Sequence, residues 1–436
     1  MTTKTKKILV ALLLSVVFCV TLFLGVFSFI PDFYDGEYNI YHSPSSLIKK
    51  SNAFTDTKSA TYTVEFDDET DVTIADVQSA INTRLARGYG YYGVKMSFNA
   101  DNNQLSIMLP NNGDIATLEE IEGFTSKRNN LAKEILDSVT ANGKLEILKE
   151  SSYSASNVVL TREHIRRATV KTYVSGSSTW YICEVSLTRE GTQIADATFT
   201  TGTSSTYYFA IDESVEDHPA VYSTSGKFQL YAHSIDEASA LAAYIRSGEL
   251  HATLTLEETE DIINTSGWIY LLVFGLVVLV SFVFFAIRYK CLGIIPIVLQ
   301  LLAIVIYVIF AGLAYTEMFN VAAAIGTFIV YVFMSFFTWF TFEKIRARLL
   351  DNKSYSWARH QAFKSTNIIS LIAHGVLLVL GIILWVIPTV VTAPLGCVFV
   401  YGAVLSFVVT FGLNRLFTLL VSPYFENTKR LAKAKK

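Results

Sequence analysis

GWIYLLVFGLVVLVSFVFFAI, residues 267–287, contains no charged residue and at 1.5 Å per residue covers the roughly 30 Å of a bilayer's hydrocarbon core. Glu257, Glu258, Glu260 and Asp261 stand just before it, and Arg288 and Lys290 just after it. The chain passes here from an acidic soluble region into a membrane. Working outward, four further runs of this kind follow, at residues 292–314, 318–342, 367–388 and 394–421. One precedes the soluble region, at residues 8–30. That first run is longer than the 7–15 residues of a signal-peptide core, and Phe27-Ser28-Phe29 is a poor cleavage site, so it reads as a retained anchor. Six spans in a one-plus-five arrangement are expected.

The composition agrees. Of 436 residues 51% are hydrophobic and only 17% charged, with a mean hydropathy of +0.39, too apolar for an ordinary soluble enzyme of this length. The charges are partitioned: residues 32–265 hold 34 of the 38 acids and 18 of the 35 bases. A net charge near −16 on that segment excludes nucleic-acid binding, which needs a basic footprint. Cys19, Cys291 and Cys397 lie in or beside apolar runs and Cys183 has no soluble partner, so neither a disulfide framework nor a zinc site is expected.

Lys and Arg resist translocation and collect on the cytoplasmic side. Lys4, Lys6 and Lys7 precede the first span, and Arg288 and Lys290 follow the second. Lys344, Arg346, Arg348, Lys353, Arg359 and Lys364 follow the fourth, and Lys429, Arg430, Lys433, Lys435 and Lys436 end the chain. All fall on one side. The loops at residues 315–317 and 389–392 carry no base, which puts both termini in the cytoplasm and residues 31–265 outside it. Trp268 and Trp385 lie near span ends on that outer face, as interfacial anchors do.

Within the acidic region the periodicities alternate. Tyr62, Val64 and Phe66 read as a strand, residues 74–87 as a helix, 92–98 and 104–109 as strands, 118–139 as a helix and 144–148 as a closing strand. That order, β-α-β-β-α-β, is the ferredoxin-like one. Residues 168–256 repeat strand and helix signals, among them Tyr181, Cys183, Val185 and Leu187 in alternation. A helix at 235–246 has Ser234 and Glu237 as a capping box and Ile235, Ala238, Leu241, Ala242 and Ile245 as its apolar face. The uncharged, Ser-rich residues 151–157 read as a linker. The fold class is therefore an α-helical membrane protein of six transmembrane helices with an extracytoplasmic α+β domain. Its parts are residues 1–30, two outer subdomains at 31–150 and 151–265, a helical region at 266–421 with a basic connector at 343–366, and a basic tail at 422–436.

Catalytic motifs do not emerge. Gly88 to Gly93 fits G-x-G-x-x-G but follows a helix and precedes a strand, the reverse of a nucleotide-binding turn. There is no Walker A sequence and no H-E-x-x-H, and Arg162-Glu163-His164 reads as a solvated helix start. No enzymatic activity, cofactor or metal is expected.

A single anchor, a large outer α+β domain and five further spans resemble one half of a resistance-nodulation-division (RND) type protein, and several stretches resemble SecD. Residues 241–250, LAAYIRSGEL, are similar to the family's LAxxLRSGALP segment before the second span. Leu109-Pro110 with Asp114, then Gly143 to Ile147, resemble LPG…D…LEF. Val159-Leu160-Thr161 resembles VLT, Phe342-Glu343-Lys344-Ile345 resembles FERI, residues 353–365 resemble the GKS…A…GFKRS connector, and residues 402–418 resemble the last-span pattern GFAxTLxIG…FT. The resemblance implies an accessory subunit of the Sec translocase that works with a SecF-like protein beside the SecYEG channel, on exported polypeptide and within membrane lipid. A half-transporter for a lipid or small amphiphile and a non-transporting scaffold are the alternatives.

The family's fourth span carries an Asp in DANVLIFERI, and counting back from Phe342 places it at Phe336. An Asp at mid-membrane costs about 2.5–3.5 kcal/mol, whereas Phe is favourable by a few tenths. The resemblance therefore does not carry proton coupling over to this half. The remaining candidates for transport or interface roles are Glu343, Lys344, His374 and Arg415. His374 could titrate or sit hydrogen-bonded between helices. Arg415 either snorkels to the interface or pairs with an acid such as Glu343. Gln300, Asn320 and Asn414 read as amides that hold helices together, and Glu317 as a solvated boundary residue.

Overall fold

The computed structural model describes residues 3–30, 33–34, 39–41, 43–67, 71–111, 131–175, 178–199, 207–223, 226–232, 235–314, 317–387, 389 and 391–425. Asp114, the first part of the helix expected at 118–139, the Ser234 cap, the loop residues Tyr315 and Thr316 and the basic tail from 426 lie outside them. The chain divides into two compact units, a membrane unit of residues 1–54 and 264–436 and a soluble unit, Thr55–Ile263.

In the membrane unit, five helical stretches are long and apolar enough to cross a bilayer. The first is α1 (Thr3–Phe29). The next, Gly267–Ala314, has 48 residues. As one straight helix it would reach about 72 Å, over twice a bilayer core. It breaks at Lys290, which has a φ of +52°, and separates into α6 (Gly267–Tyr289) and α7 (Ile294–Ala314). Ser281 Oγ donates to Gln300 Oε1 at 3.1 Å, which requires the two helices to fold back on each other. Then come α8 (Val321–Leu350) and α9 (Tyr355–Val386). The last stretch is α10 (Thr392–Phe407), a π-helical turn (Val408–Leu413) and α11 (Asn414–Leu420). Six apolar helices thus stand where hydropathy places them.

Lipid offers no hydrophobic drive between helices, so close packing at small residues has to hold them. At the seam of α9 and α10, a Cβ on Gly396 would fall 2.2 Å from the Trp385 nitrogen, and one on Gly381 would fall 2.8 Å from the Val400 nitrogen. The side chains turned outward are apolar: Leu271, Ile287, Ile368 and Val376 are each more than 60% exposed. The two points where the chain leaves and re-enters this unit are tied, because Asn264 Nδ2 donates to Asn52 O at 2.5 Å.

The soluble unit holds two antiparallel sheets. Its first elements follow the expected order: β1 (Thr57–Phe66), α2 (Ile74–Tyr89), β2 (Lys95–Asn99), β3 (Gln104–Pro110), α3 (Leu131–Thr140) and β4 (Leu145–Leu148). Helix α2 starts where the Asp76 carboxylate reaches back to its N-cap residue: Thr73 N and Oγ1 donate to Asp76 at 3.0 and 2.6 Å. It stops at Gly90, whose φ of +72° fits the left-handed cap. Gly88 to Gly93 is thus a helix end and turn.

The closing strand differs from expectation. β4 does not join the first sheet; it pairs with β5 (Val158–Thr161) and β8 (Tyr207–Ile211) in the second. The strand that closes the first sheet is β11 (Ala252–Ile262), antiparallel to β1 with Leu254 opposite Val64. The order β11-β1-β3-β2 keeps the ferredoxin-like arrangement, closed by a strand more than 100 residues later in the chain. Residues 151–157, expected as a linker, form the loop of the β4–β5 hairpin.

The second sheet runs β5-β4-β8-β9-β10-β7-β6, with β6 Ile165–Ser175, β7 Ser178–Leu187, β9 Ser214–Ser223 and β10 Lys227–Ala232. Cys183, Val185 and Leu187 of β7 face its core beside Phe209, Tyr222 and Phe228. A helix after β7, α4 (Arg189–Thr198), begins at Thr188, whose side chain accepts from Gly191 N. The last helix, α5 (Ile235–Ser247), buries Ala238, Ala242, Ala243 and Ile245. It meets α2 closely enough that a Cβ on Gly88 would lie 3.0 Å from the Ala240 Cα.

Arg84 of α2 lies at the centre of this unit, 1% exposed. Its guanidinium donates to the carbonyls of Val139, Ala141, Asn142 and Gly248 and to Ser247 Oγ, all within 3.1 Å. Its Cζ stands 4.3 Å from the centre of the Tyr244 ring. Burial lowers its pKa to about 10, against the raising influence of Tyr244 and Asp212, so it stays charged at neutral pH. Arg84→Met is expected to cost about 3–5 kcal/mol by stranding these acceptors. Amide exchange at residues 139–143 and 247–250 of the purified full chain should accelerate, and Arg84→Lys should have a smaller effect. Unchanged exchange in Arg84→Met would show that the cage holds nothing.

Candidate functional site

The five residues singled out from the sequence occupy three different places. Phe336 lies on α8, 49% exposed, with Ile325 (54%), Ile329 (43%) and Val332 (44%) in the same outward stripe. Its ring contacts come from its own helix: Phe337, Trp339 and Phe340, at 5.4, 5.5 and 6.2 Å between centroids. The position that would hold the family Asp thus faces away from the packed interior of this chain.

Glu343, two turns further along α8, is answered by α6 and by its own helix. Arg288 grips it in bidentate fashion, Nη2 to Oε1 at 2.8 Å and Nε to Oε2 at 3.3 Å. Tyr289 Oη donates to Oε2 at 2.9 Å and Arg346 Nη1 to Oε1 at 3.1 Å. These three donors displace Arg415 as the partner of Glu343. Lys344 is exposed, its ammonium 5.4 Å from the Phe340 ring centre.

His374 of α9 is 3% exposed. Its Nδ1 lies 2.6 Å from the Ser370 carbonyl and its Nε2 lies 2.9 Å from Ser406 Oγ of α10. A carbonyl only accepts, so Nδ1 carries the proton, and in the neutral ring Nε2 accepts from the Ser406 hydroxyl. Phe333 and Phe337, at 4.9 and 5.4 Å, and Phe407 and Phe411, at 6.0 Å each, surround it. His374 therefore joins α9 to α10 inside an aromatic box.

Arg415 of α11 is exposed, and its guanidinium stands 5.4 Å from the centre of the Phe363 ring. No acid pairs with it among the described residues. Of the two alternatives open in the sequence, the structure supports the unpaired cation.

The buried amides behave unevenly. Gln300 Oε1 accepts from Ser281 and from Tyr331 Oη at 3.1 and 3.0 Å, and Nε2 donates to Ser335 at 3.0 Å, which joins α6, α7 and α8. Asn320 caps α8 by accepting from Ala323 N. Asn414 differs: it is fully buried and neither its Oδ1 nor its Nδ2 meets a partner, nor does Thr410 Oγ1 in the preceding π turn. Glu317 accepts from Trp385 Nε1 at 3.3 Å, and its other oxygen is buried and unpaired. The solvated role expected for it gives way to a tie to α9.

In the soluble unit, Asp67, Glu249 and His251 each offer one ligand atom within 4.8 Å of the others, a set that could hold a divalent cation. Glu249 already accepts from Asn142 Nδ2 at 3.1 Å.

One anchor helix, an α+β unit with a ferredoxin-like sheet, and five further apolar helices define a membrane protein of one-plus-five plan. No known family profile matches the sequence. No curated protein matches it either. Among solved structures, a crystal structure of SecDF in its super-membrane-facing form matches 97% of this chain and 58% of its own, with a TM-score of 0.63 and 15% identity. Another, of the translocon-associated membrane protein SecDF from Thermus thermophilus, matches 96% of this chain and 59% of its own, with a TM-score of 0.46 and 13% identity. The chain thus spans under three-fifths of the length of these two SecDF structures. In fold it is a divergent SecD-like membrane protein.

Glu343→Ala would leave Arg288, Arg346 and Tyr289 Oη without their shared acceptor. The loss expected in detergent is about 1 kcal/mol, read as a lower thermal midpoint. Lys344→Gln, at an exposed cation on the next residue, should stay within about 0.5 kcal/mol of the parent. Equal midpoints for Glu343→Ala and the parent would show that the cluster contributes nothing.

Proposed function

We propose that this chain is a SecD-like accessory subunit of protein export, seated in the cytoplasmic membrane with both termini inside and the soluble unit outside. The observation that carries this is the likeness in fold to SecDF over 97% of the chain, together with the one-sided distribution of Lys and Arg in the sequence. The soluble unit would contact polypeptide emerging from a SecYEG channel. The outward stripe Ile325, Ile329, Val332 and Phe336 on α8 would meet a SecF-like partner. Proton coupling through this half is not part of the proposal: position 336 carries Phe, and both His374 nitrogens are engaged.

Depletion of the chain in its own host, followed by pulse-chase of an exported precursor, tests the role. Slower precursor processing is expected. Normal processing with an altered envelope lipid composition would replace export by lipid transport, and normal results in both would point to a scaffold. Orientation is tested in a background with Cys19 and Cys291 replaced by Ser. A cysteine at Asp101, in an exposed turn of the soluble unit, should react with an impermeant thiol reagent in intact cells, and one at Lys353 should not. The reverse pattern would invert the topology.

A further inference from the structure

Arg359, His360 and Lys364 of α9 and Arg415 of α11 line one open cleft of about 740 Å³. Arg359 and Phe363 stand at i and i+4 on α9, with His360 and Lys364 as the parallel row beside them, so the cations share one side of the helix. Tyr355 Oη donates to the Thr418 carbonyl at 3.0 Å. Because α9 and α11 run in opposite directions from that point, Arg415, three residues before Thr418, stands level with the first turn of α9, next to Arg359. The Arg415 guanidinium stands 5.4 Å from the centre of the Phe363 ring, and Arg359 lines the same cleft.

Like charges gathered in this way repel unless something answers them. No acid pairs with any of the four among the described residues, and Arg359 Nε is buried without a hydrogen-bond partner. The rest of the cleft is apolar on the side of α11, where Leu416 and Leu419 are 48% and 50% exposed. A cationic end joined to an apolar wall, beside the basic connector at the membrane boundary, is complementary to one class of molecule that is always present there. A phosphodiester offers two non-bridging oxygens to guanidinium forks, and its diacylglycerol tail suits the leucines.

We propose that this cleft binds an anionic phospholipid, its phosphate held between Arg359 and Arg415 with Lys364 beside it, and an acyl chain laid along Leu416 and Leu419. The site does not depend on the role in export. It is tested by native mass spectrometry of the purified full chain titrated with phosphatidylglycerol or phosphatidylcholine. The parent should retain phosphatidylglycerol in preference, and each of Arg359→Gln and Arg415→Gln should reduce that preference about fivefold, the equivalent of ~1 kcal/mol per basic residue. Arg415→Gln alters an exposed side chain, so it remains readable if Arg359→Gln misfolds. Equal retention of the two lipids by the parent, or an unchanged preference in Arg415→Gln, would overturn the proposal. Displacement of phosphatidylglycerol by millimolar inorganic phosphate would also overturn it, making the cleft a site for a free anion.

Discussion

The soluble unit depends on how one buried cation is satisfied. Arg84 offers five N–H donors and pairs with no carboxylate among the described residues; backbone carbonyls surround it instead. They come from two segments, 139–142 and 247–248, far apart in sequence. Gathering them fixes the turns that follow. Gly143 and Gly248 have φ values of +90° and +79°, and a Cβ on Gly143 would lie 2.4 Å from Arg84 Nη2. Leu250 N then donates to the Asn142 carbonyl, and Asp212 accepts from Gly143 N and Lys144 N. The chain leaves this knot in two directions: β4 into the seven-stranded sheet and β11 into the four-stranded one. Of the stretches that resemble SecD, LAAYIRSGEL supplies Ser247 and Gly248 to this cage, and GKLEI follows directly on the carbonyls of residues 139–142. Their glycines and Ser247 are there because a guanidinium must be reached by backbone.

The membrane unit solves the matching problem with little charge. Its helices approach at glycines, and its buried polar groups are mostly paired at short range, through Gln300 between α6, α7 and α8 and through His374 and Ser406 between α9 and α10. Asn414 and Thr410 stand apart from this pattern. They sit in and beside a π turn, where the backbone ladder is already displaced, and their polar atoms find no protein partner.

What could be read from the sequence was what depends on local pattern. The apolar runs are long and uncharged, so the helices at residues 267–289, 294–314 and 321–350 followed from hydropathy alone. Strand partners did not follow, because Leu145–Leu148 and Ala252–Ile262 are both strands and local pattern does not say which one closes the first sheet. Arg84 falls in sequence on the apolar face of its helix, at i+7 from Val77 and i+3 from Ile81, but the carbonyls that answer it come from segments no local pattern connects to it. Glu343 was visible, but its partner Arg288 lies 55 residues away and had a sufficient explanation as an orientation marker. The same holds for Arg359 and Lys364, whose convergence with Arg415 needs the antiparallel register set by Tyr355 and Thr418.

The face of α8 that carries Phe336 is turned away from the packed bundle. Gly326, Val330, Met334 and Phe337, on the other side of the same helix, are buried against the bundle, and Gly326 and Val330 touch α10 directly. Exchanging an exposed Asp for Phe would disturb none of these contacts and would remove a desolvation cost of a few kcal/mol. Packing thus occupies one face of the helix and leaves the other open. A substitution at position 336 therefore acts on what that face meets outside the chain and leaves the packing of α8 against the bundle unchanged.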